Sequence, residues 1–501
     1  MKKTSNIFAF VAMLATFIFL SPNLNNEFLN WDDPAYVTKN PLVRDLSFEG
    51  ISNIFATQEV VSTYAPITLV SWAIDYAIDG NNPFVFHTTN LLLHLLVVLL
   101  VYKLAHNLTK NIVVAFVTAL LFGIHPLHVE NVAWISARKD LLNGLFFIGG
   151  LITYFLFIRK TDYKFYFATL LLFVLSILSK GSAVIFPLIL ILLDLYHKRK
   201  HLKKVILEKL PFFLLSILFT YMAIVAQKDG GAMEDRGLTS FWESLTVGFY
   251  GYSNYLIKSI FPFNLSGYHP YPNQLGESLP WYFYLTSIPV IALFIYSLTQ
   301  FKKRPLIFFG INFFFITLIP VIQVLPFGTA IIAERYTYLP YFGLFLIYGF
   351  VISHLIKRYN HRQKVITLIT GVYCIVLGIV SFNYSKNFKN SGSFWLNVIE
   401  KYPENFLAYG NYGNYLIATQ EYSKAMKALN RGIELNDKYY WLYYNRAIAN
   451  QRTGNLEVAI KDYNSAIKLN TLDLSSRLNR GILYNLTERY TEAIADFNFV
   501  I

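Results

Sequence analysis

Cysteine is almost missing from these 501 residues: the one present, Cys374, lies inside an apolar run. That excludes a disulfide framework and any cysteine-based metal site, and it leaves the redox compartment open. Charge is also scarce. Asp, Glu, Lys and Arg make up 15% of the chain, against 55% hydrophobic residues and a mean hydropathy of +0.41. Soluble domains carry about 25% charge, so this is the composition of a chain that crosses a membrane many times. The phosphate-cradling patterns GxxxxGK[ST] and GxGxxG do not occur, which argues against an enzyme using ATP or a nucleotide sugar. Acidic residues number 30 against 43 Lys and Arg, a net charge of +13. The basic surplus falls in short loops between apolar runs, where it sets topology and is no sign of nucleic-acid binding.

What the chain does have is apolar runs. A span needs about 20 mainly apolar residues. The sequence predicts about eleven, near 6–22, 86–105, 112–126, 141–158, 164–179, 182–196, 210–226, 281–299, 305–325, 337–355 and 365–382. The start, Met1-Lys2-Lys3 and then apolar residues, has no small-residue cleavage site before Asn23, so it reads as an uncleaved first span. The stretch 241–262 is apolar but interrupted by Glu243, Asn254 and Lys258. With Lys2 and Lys3 inside, the basic cluster at 198–204 falls inside, and those at 302–304 and 357–364 do so only if 241–262 stays at the outer interface. The outer loops are then 23–85, 126–140, 227–280 and 326–336, and everything after 382 is outside as well.

The C-terminal part repeats. Gly413, Ala447 and Gly481 lie 34 residues apart, as do Ala425, Ala459 and Ala493, and Leu429, Tyr463 and Phe497. This is the period and residue pattern of tetratricopeptide repeats, which hold peptide or protein in a groove. The expected architecture is all-α: a membrane helical bundle over 1–385, then a repeat solenoid over 386–501. The third repeat stops at Ile501 before its final turn, so the chain reads as a fragment or as an array with an exposed end.

Four constellations could carry chemistry. Asp32 and Asp33 stand in Trp31-Asp32-Asp33-Pro34, just beyond the first span. Adjacent residues point apart, so one carboxylate could act as a base while the other orients the loop. Trp31 also suits an interface anchor. His87, Asn90 and His94 share one face of a helix at spacing i, i+3, i+7. His94, the deeper one, reads as an interhelical hydrogen bonder. His125, His128 and Glu130 precede Arg138, Lys139 and Asp140. A zinc or manganese site from the first three would need a bend in the chain, so a divalent metal is a minority expectation. Arg138 and Lys139 stand outside against the charge rule, which points to a phosphate contact. Last comes Glu334-Arg335-Tyr336-Thr337-Tyr338, with a local Glu334–Arg335 pair as its plainer reading. Lys180, between two spans, is ambiguous in the same way. Carboxylates and cations at one membrane level suit sugar transfer from a membrane-embedded phosphate.

These motifs resemble a known family. Trp31-Asp32-Asp33, Phe86-His87-Thr88-Thr89-Asn90-Leu91-Leu92-Leu93-His94, His125-Pro126-Leu127-His128-Val129-Glu130, Val132-Ala133-Trp134-Ile135-Ser136 and Glu334-Arg335-Tyr336-Thr337-Tyr338-Leu339-Pro340 look like the hallmarks of TMTC-type transmembrane and tetratricopeptide-repeat glycosyltransferases. The resemblance spans nearly the whole chain. It implies a GT-C bundle, a polyprenyl-phosphate sugar donor and, as in eukaryotic members, O-mannosylation of a protein acceptor. It makes Asp32 or Asp33 the catalytic carboxylate and Arg335 a donor-phosphate contact. Tyr64-Ala65-Pro66-Ile67-Thr68 departs from it, lacking an arginine that some members carry. The expectation is a lipid-linked glycosyltransferase at the outer face of a bacterial inner membrane, with repeats in the periplasm (or in the endoplasmic reticulum membrane of a eukaryote). Its assigned residues are Asp32 and Asp33 as catalytic groups, Arg138, Lys139 and Arg335 for the donor phosphate, and His87, Asn90, His125, His128, Glu130 and Glu334 as lining. The rivals are a membrane-anchored repeat scaffold and a polysaccharide polymerase or ligase.

Overall fold

A computed structural model of the chain describes residues 2–57, 60, 63–200, 202–229, 241–272, 278–323 and 330–501. The outer loops read at 23–85, 227–280 and 326–336 therefore lie partly outside the described residues. Among the described residues, seven helices are long and apolar enough to cross a membrane: Thr4–Asn25, Pro83–Thr109, Ile135–Lys160, Lys203–Met222, Trp281–Lys303, Tyr341–Arg358 and Asn360–Phe388. An eighth candidate, Ile112–Ile124 with Pro126–Ala133, is bent by 56° at its break. Three shorter apolar helices, Tyr163–Ser179, Gly181–Tyr196 and Pro305–Val321, complete the set. The helix Phe241–Lys258 is not in it and ends on Lys258. These lengths and compositions are those of a multi-pass membrane protein. Among the described residues the only strands are a short antiparallel ribbon, His269–Pro270 with Ala330–Ile332.

Local chemistry sets the helix ends. Asn82 accepts from the N–H of Phe84, and Pro83 starts the helix Pro83–Thr109. The helix stops where Lys110 takes a left-handed conformation, φ 55°. Close packing needs small residues. A Cβ on Gly310 would lie 2.6 Å from the Gly343 carbonyl oxygen, and one on Gly343 would lie 2.3 Å from that of Gly310. The helices Pro305–Leu318 and Tyr341–Arg358 thus touch backbone to backbone, as membrane helices do at small residues.

The loop after the first span has its own core. Tyr36, Val37, Val43 and Ile54 pack with Leu69 and Trp72 of the helix Pro66–Asp79, and with Phe86 and Ile135. Burying these side chains fixes the turn that carries Asp32 and Asp33 against the head of the helix Arg138–Lys160.

The chain divides into two compact units: Met1–Phe28 with Asp32–Lys389, and Leu29–Trp31 with Asn390–Ile501. In the second, the helix Ser391–Lys401 is followed by three helix pairs, from Phe406–Ala418 with Tyr422–Leu435 to Leu474–Leu486 with Tyr490–Val500. The 34-residue period is physical here. A Cβ on Gly413 would meet Leu429 at 2.6 Å, and one on Gly481 would meet Phe497 at 2.8 Å. Arg446 pairs with Asp462 at 2.6 Å and Arg480 with Asp496 at 2.5 Å, at equivalent places in successive repeats. Trp31 packs on Phe394 and Trp395, ring centroids 5.7 and 5.3 Å away. Asn30 beside it accepts from the Trp395 indole at 2.8 Å.

Candidate active site

Three segments of the membrane unit meet: the turn at Asp32–Asp33, the broken stretch 125–140 and the turn Glu334–Thr337. The break follows from the sequence. A residue before proline is pushed out of the helical region, and His125 adopts φ −69°, ψ 133° ahead of Pro126. Its ring then accepts the N–H of Leu127 at 3.3 Å. His128 is braced by Nδ1 on the Phe122 carbonyl at 2.7 Å. Each ring commits its Nδ1 to shaping the bend, while its Nε2 is buried with no hydrogen-bond partner among the described residues, and Glu130 is committed to Arg335. No group of three or more metal-ligating side chains is arranged to hold an ion among the described residues, so the expected His125–His128–Glu130 ligand set is not assembled.

The adjacent carboxylates part company. Asp33 is fully buried, and its Oδ1 accepts both the backbone N–H (3.0 Å) and the hydroxyl of Ser136. Asp32 stays partly open to solvent. Its carboxyl lies in the field of Lys139 and Arg335, and its pKa is raised: the burial around it outweighs the opposing pull of the two cations.

The adjacent cations part in the same way. Arg138 is fully buried and paired with Asp75 at 2.5 Å. It donates to Asn90 Oδ1 at 2.7 Å and to the carbonyls of Phe86 and Ser71 at 2.8 and 3.1 Å. Lys139 turns towards the carboxylate side, donating to the Tyr36 hydroxyl at 3.1 Å and lying 4.5 Å from that ring's centroid. Arg335 is gripped by Glu130, which accepts its backbone N–H at 2.9 Å and its guanidinium at 2.5 Å. Trp134 and Tyr336 flank the guanidinium, each ring centroid 5.1 Å away. Burial opposes the charge on Arg335, but Glu130 more than compensates, so its pKa is raised.

The remaining expected residues frame this centre. Asn90 also donates towards the Val132 and Trp134 carbonyls, both at 3.4 Å. His87 is buried beside Arg138. His94 bridges the Tyr338 hydroxyl at 2.8 Å and the Gly123 carbonyl at 3.0 Å. Glu334 faces away from Arg335: it accepts the Ser266 N–H at 3.0 Å and sits 3.6 Å from Lys258 and 3.5 Å from His269. The plainer reading of a local Glu334–Arg335 pair is therefore replaced by two pairs reaching in different directions.

Two partnerships are not visible from the motifs alone. Asp75, buried on the Pro66–Asp79 helix, neutralises Arg138, and Asp140 pairs with Lys180. Asking which carboxylate could answer each outer cation would have pointed to both.

Residues 407–439 and 442–471 match the Tetratricopeptide repeat family. The chain is 38% identical over 141 residues to Protein O-mannosyl-transferase TMTC1 of Mus musculus, covering 26% of this chain and 15% of that protein. It is 34% identical over 92 residues to Protein O-mannosyl-transferase TMTC2 of Homo sapiens, covering 18% and 11%. With Protein O-mannosyl-transferase F38B6.6 of Caenorhabditis elegans it shares 24% identity over 396 residues, 75% of this chain and 51% of that protein. The chain thus spans about half the length of that relative and less of the others. It is similar to proteins named Protein O-mannosyl-transferase, and its C-terminal unit carries tetratricopeptide repeats.

Proposed function

We propose that this protein is an inverting membrane glycosyltransferase that moves a sugar from a polyprenyl-phosphate donor to a protein hydroxyl at the outer membrane face. The observation that carries this reading is Asp32, a half-buried carboxylate with no hydrogen-bond partner among the described residues, in the field of Lys139 and Arg335. Asp32 takes the proton of the acceptor hydroxyl. The acceptor oxygen bonds to the anomeric carbon as the bond from that carbon to the phosphate oxygen breaks. The leaving phosphate keeps the electron pair, and Lys139 and Arg335 stabilise its charge. Asp33 anchors the turn through Ser136, and Arg138 is a framework residue whose donors are taken by protein groups. The homologues named as protein O-mannosyl-transferases support a sugar donor and a protein acceptor, and the repeats suit a protein partner. A bacterial membrane with an undecaprenyl carrier is the setting we infer from the composition.

The test is transfer of radiolabelled sugar from polyprenyl-phosphate donors to a mixed peptide and glycan pool, with protein in nanodiscs. Asp32→Asn should cut label on peptide by about 10²–10⁴-fold, the usual worth of a general base, while insertion and folding persist. Full activity in the variant overturns the reading. Label on glycan instead of peptide would make the protein a polymerase or ligase, and folded protein inert with every donor would make it a scaffold.

A further inference from the structure

A cleft opens at the end of the membrane unit away from the Asp32 centre. On the helix Pro83–Thr109, His106 follows Asn90 by 16 residues, about 24 Å at ~1.5 Å per residue. Leu99, Tyr102, Lys103 and His106 share one face of that helix at spacing i, i+3, i+4, i+7. Ser5, Asn6 and Ala9 of the first helix line the cleft with them, as does Ile152 of the helix Arg138–Lys160. The water-accessible space is about 280 Å³, near the floor of the ~300–1,000 Å³ usual for ligand sites.

Its lining is amphipathic. Ala9, Leu99 and Ile152 are apolar, while Tyr102, 4% exposed, shares a hydroxyl–hydroxyl bond of 2.9 Å with Ser5. Lys103 is exposed, and His106 has Nδ1 buried without a hydrogen-bond partner among the described residues. A buried polar atom left this way is costly unless a ligand answers it. Two further cations stand close by. Lys110 and Arg159 lie 5.4 and 5.1 Å from the centroid of the Phe155 ring. The charge of Lys110 acts on His106, and that of Arg159 on Lys110. No lining residue is acidic, and among the described residues none of Lys103, Lys110 and Arg159 forms an ion pair. Arg138, Lys180, Lys209 and Arg335, buried or nearly so in the same unit, each have a carboxylate. Positive charge left uncompensated calls for an anion, and apolar walls on membrane-spanning helices call for one that carries an acyl tail.

We propose that this cleft binds the headgroup of an anionic phospholipid. The phosphate takes Lys103, His106 and the Asn6 and Asn107 amides, and the tails lie along the apolar walls. Basic pockets between membrane helices are where such headgroups seat. By the charge-rule topology the cleft belongs to the inner leaflet, so this lipid is neither donor nor acceptor in the transfer, and the site stands independently of the glycosyltransferase reading.

Direct binding tests it. Full-length protein in a neutral detergent is titrated with fluorescent phosphatidylglycerol and with phosphatidylcholine of the same chain length. Phosphatidylglycerol should bind more tightly. Lys103→Gln should weaken it by about fivefold, the effect of one cation beside an anionic lipid, and Lys103→Gln with Lys110→Asn by about 25-fold. Asn6→Trp, at an exposed position, fills the cleft with every charge kept and should weaken it too. Lys302→Gln removes an exposed cation from a different basic cluster and should change nothing. Equal affinity for the two lipids, or an equal loss in Lys302→Gln, would reduce the effect to diffuse adhesion and overturn the proposal. Unchanged binding in both Lys103→Gln and Asn6→Trp would overturn it as well. Inorganic phosphate at fixed ionic strength should not displace the lipid; full displacement would make the occupant a free phosphate ion, and the lipid assignment would fall.

Discussion

Asp32 and Asp33 are neighbours in sequence and opposites in environment. Asp33 is locked by Ser136, 103 residues away in the chain, so no local pattern could say which of the two is the free one. The same holds for Arg138, answered by Asp75, and Lys139, answered by Tyr36. The motifs were legible as places; the division of labour within each was not, because it is set by partners from other helices. The raised pKa of Asp32 gives a pH test. A general base works deprotonated, so kcat/KM should fall on the acid side, with its midpoint above the ordinary carboxylate value of about 4. Lys139 lowers that pKa, so Lys139→Gln should push it further up and move the acid limb to higher pH. A pH–rate profile of both proteins checks this, and an unmoved limb would dissociate Lys139 from Asp32. Arg138 should behave differently. Arg138→Met leaves Asp75 charged and 2% exposed, a broken buried pair worth about 3–5 kcal/mol. The expected readout is a lowered melting temperature in detergent.

Elements were read more fully than contacts. Long apolar runs and a 34-residue period are one-dimensional signals, and each became helix because its burial demands are periodic. Contacts between helices are not periodic. Nothing in the sequence says that Gly310 faces Gly343 in a stretch this rich in Phe and Leu; only the backbone approach reveals it. Gly343→Leu should therefore be far worse than a usual apolar swap. Its Cβ alone would stand 2.3 Å from the Gly310 carbonyl oxygen, forcing the helices Pro305–Leu318 and Tyr341–Arg358 apart. Overpacking costs about 1–3 kcal/mol or more, and a thermal melt against Gly371→Leu provides the control. Gly371 has nothing within 4 Å of an added Cβ, so that variant should melt like wild type. The repeats carry an element-scale signal of their own. Arg446–Asp462 and Arg480–Asp496 recur one repeat apart, a pairing that ties together the two helices of each pair.

At the scale of the molecule, function depends on which side each part occupies. The proposed chemistry needs Asp32, Lys139, Arg335 and the repeats on one face and the basic clusters at 198–204, 302–304 and 357–364 on the other. The weak point is the helix Phe241–Lys258: were it to span, the last two clusters and the repeats would change sides. Its charges and its absence from the apolar helices favour an interfacial position. The near-lack of cysteine makes the question simple to put. Cys374 is the only one and is buried, so Cys374→Ser gives a background for single reporters. Lys364 and Lys438 are both exposed. In intact cells, a membrane-impermeant maleimide should label Lys438→Cys and spare Lys364→Cys until the membrane is permeabilised. The reverse pattern would put the repeats inside. The acceptor would then have to reach the site from the inner side, and the outer-face assignment of the transfer would fall with it.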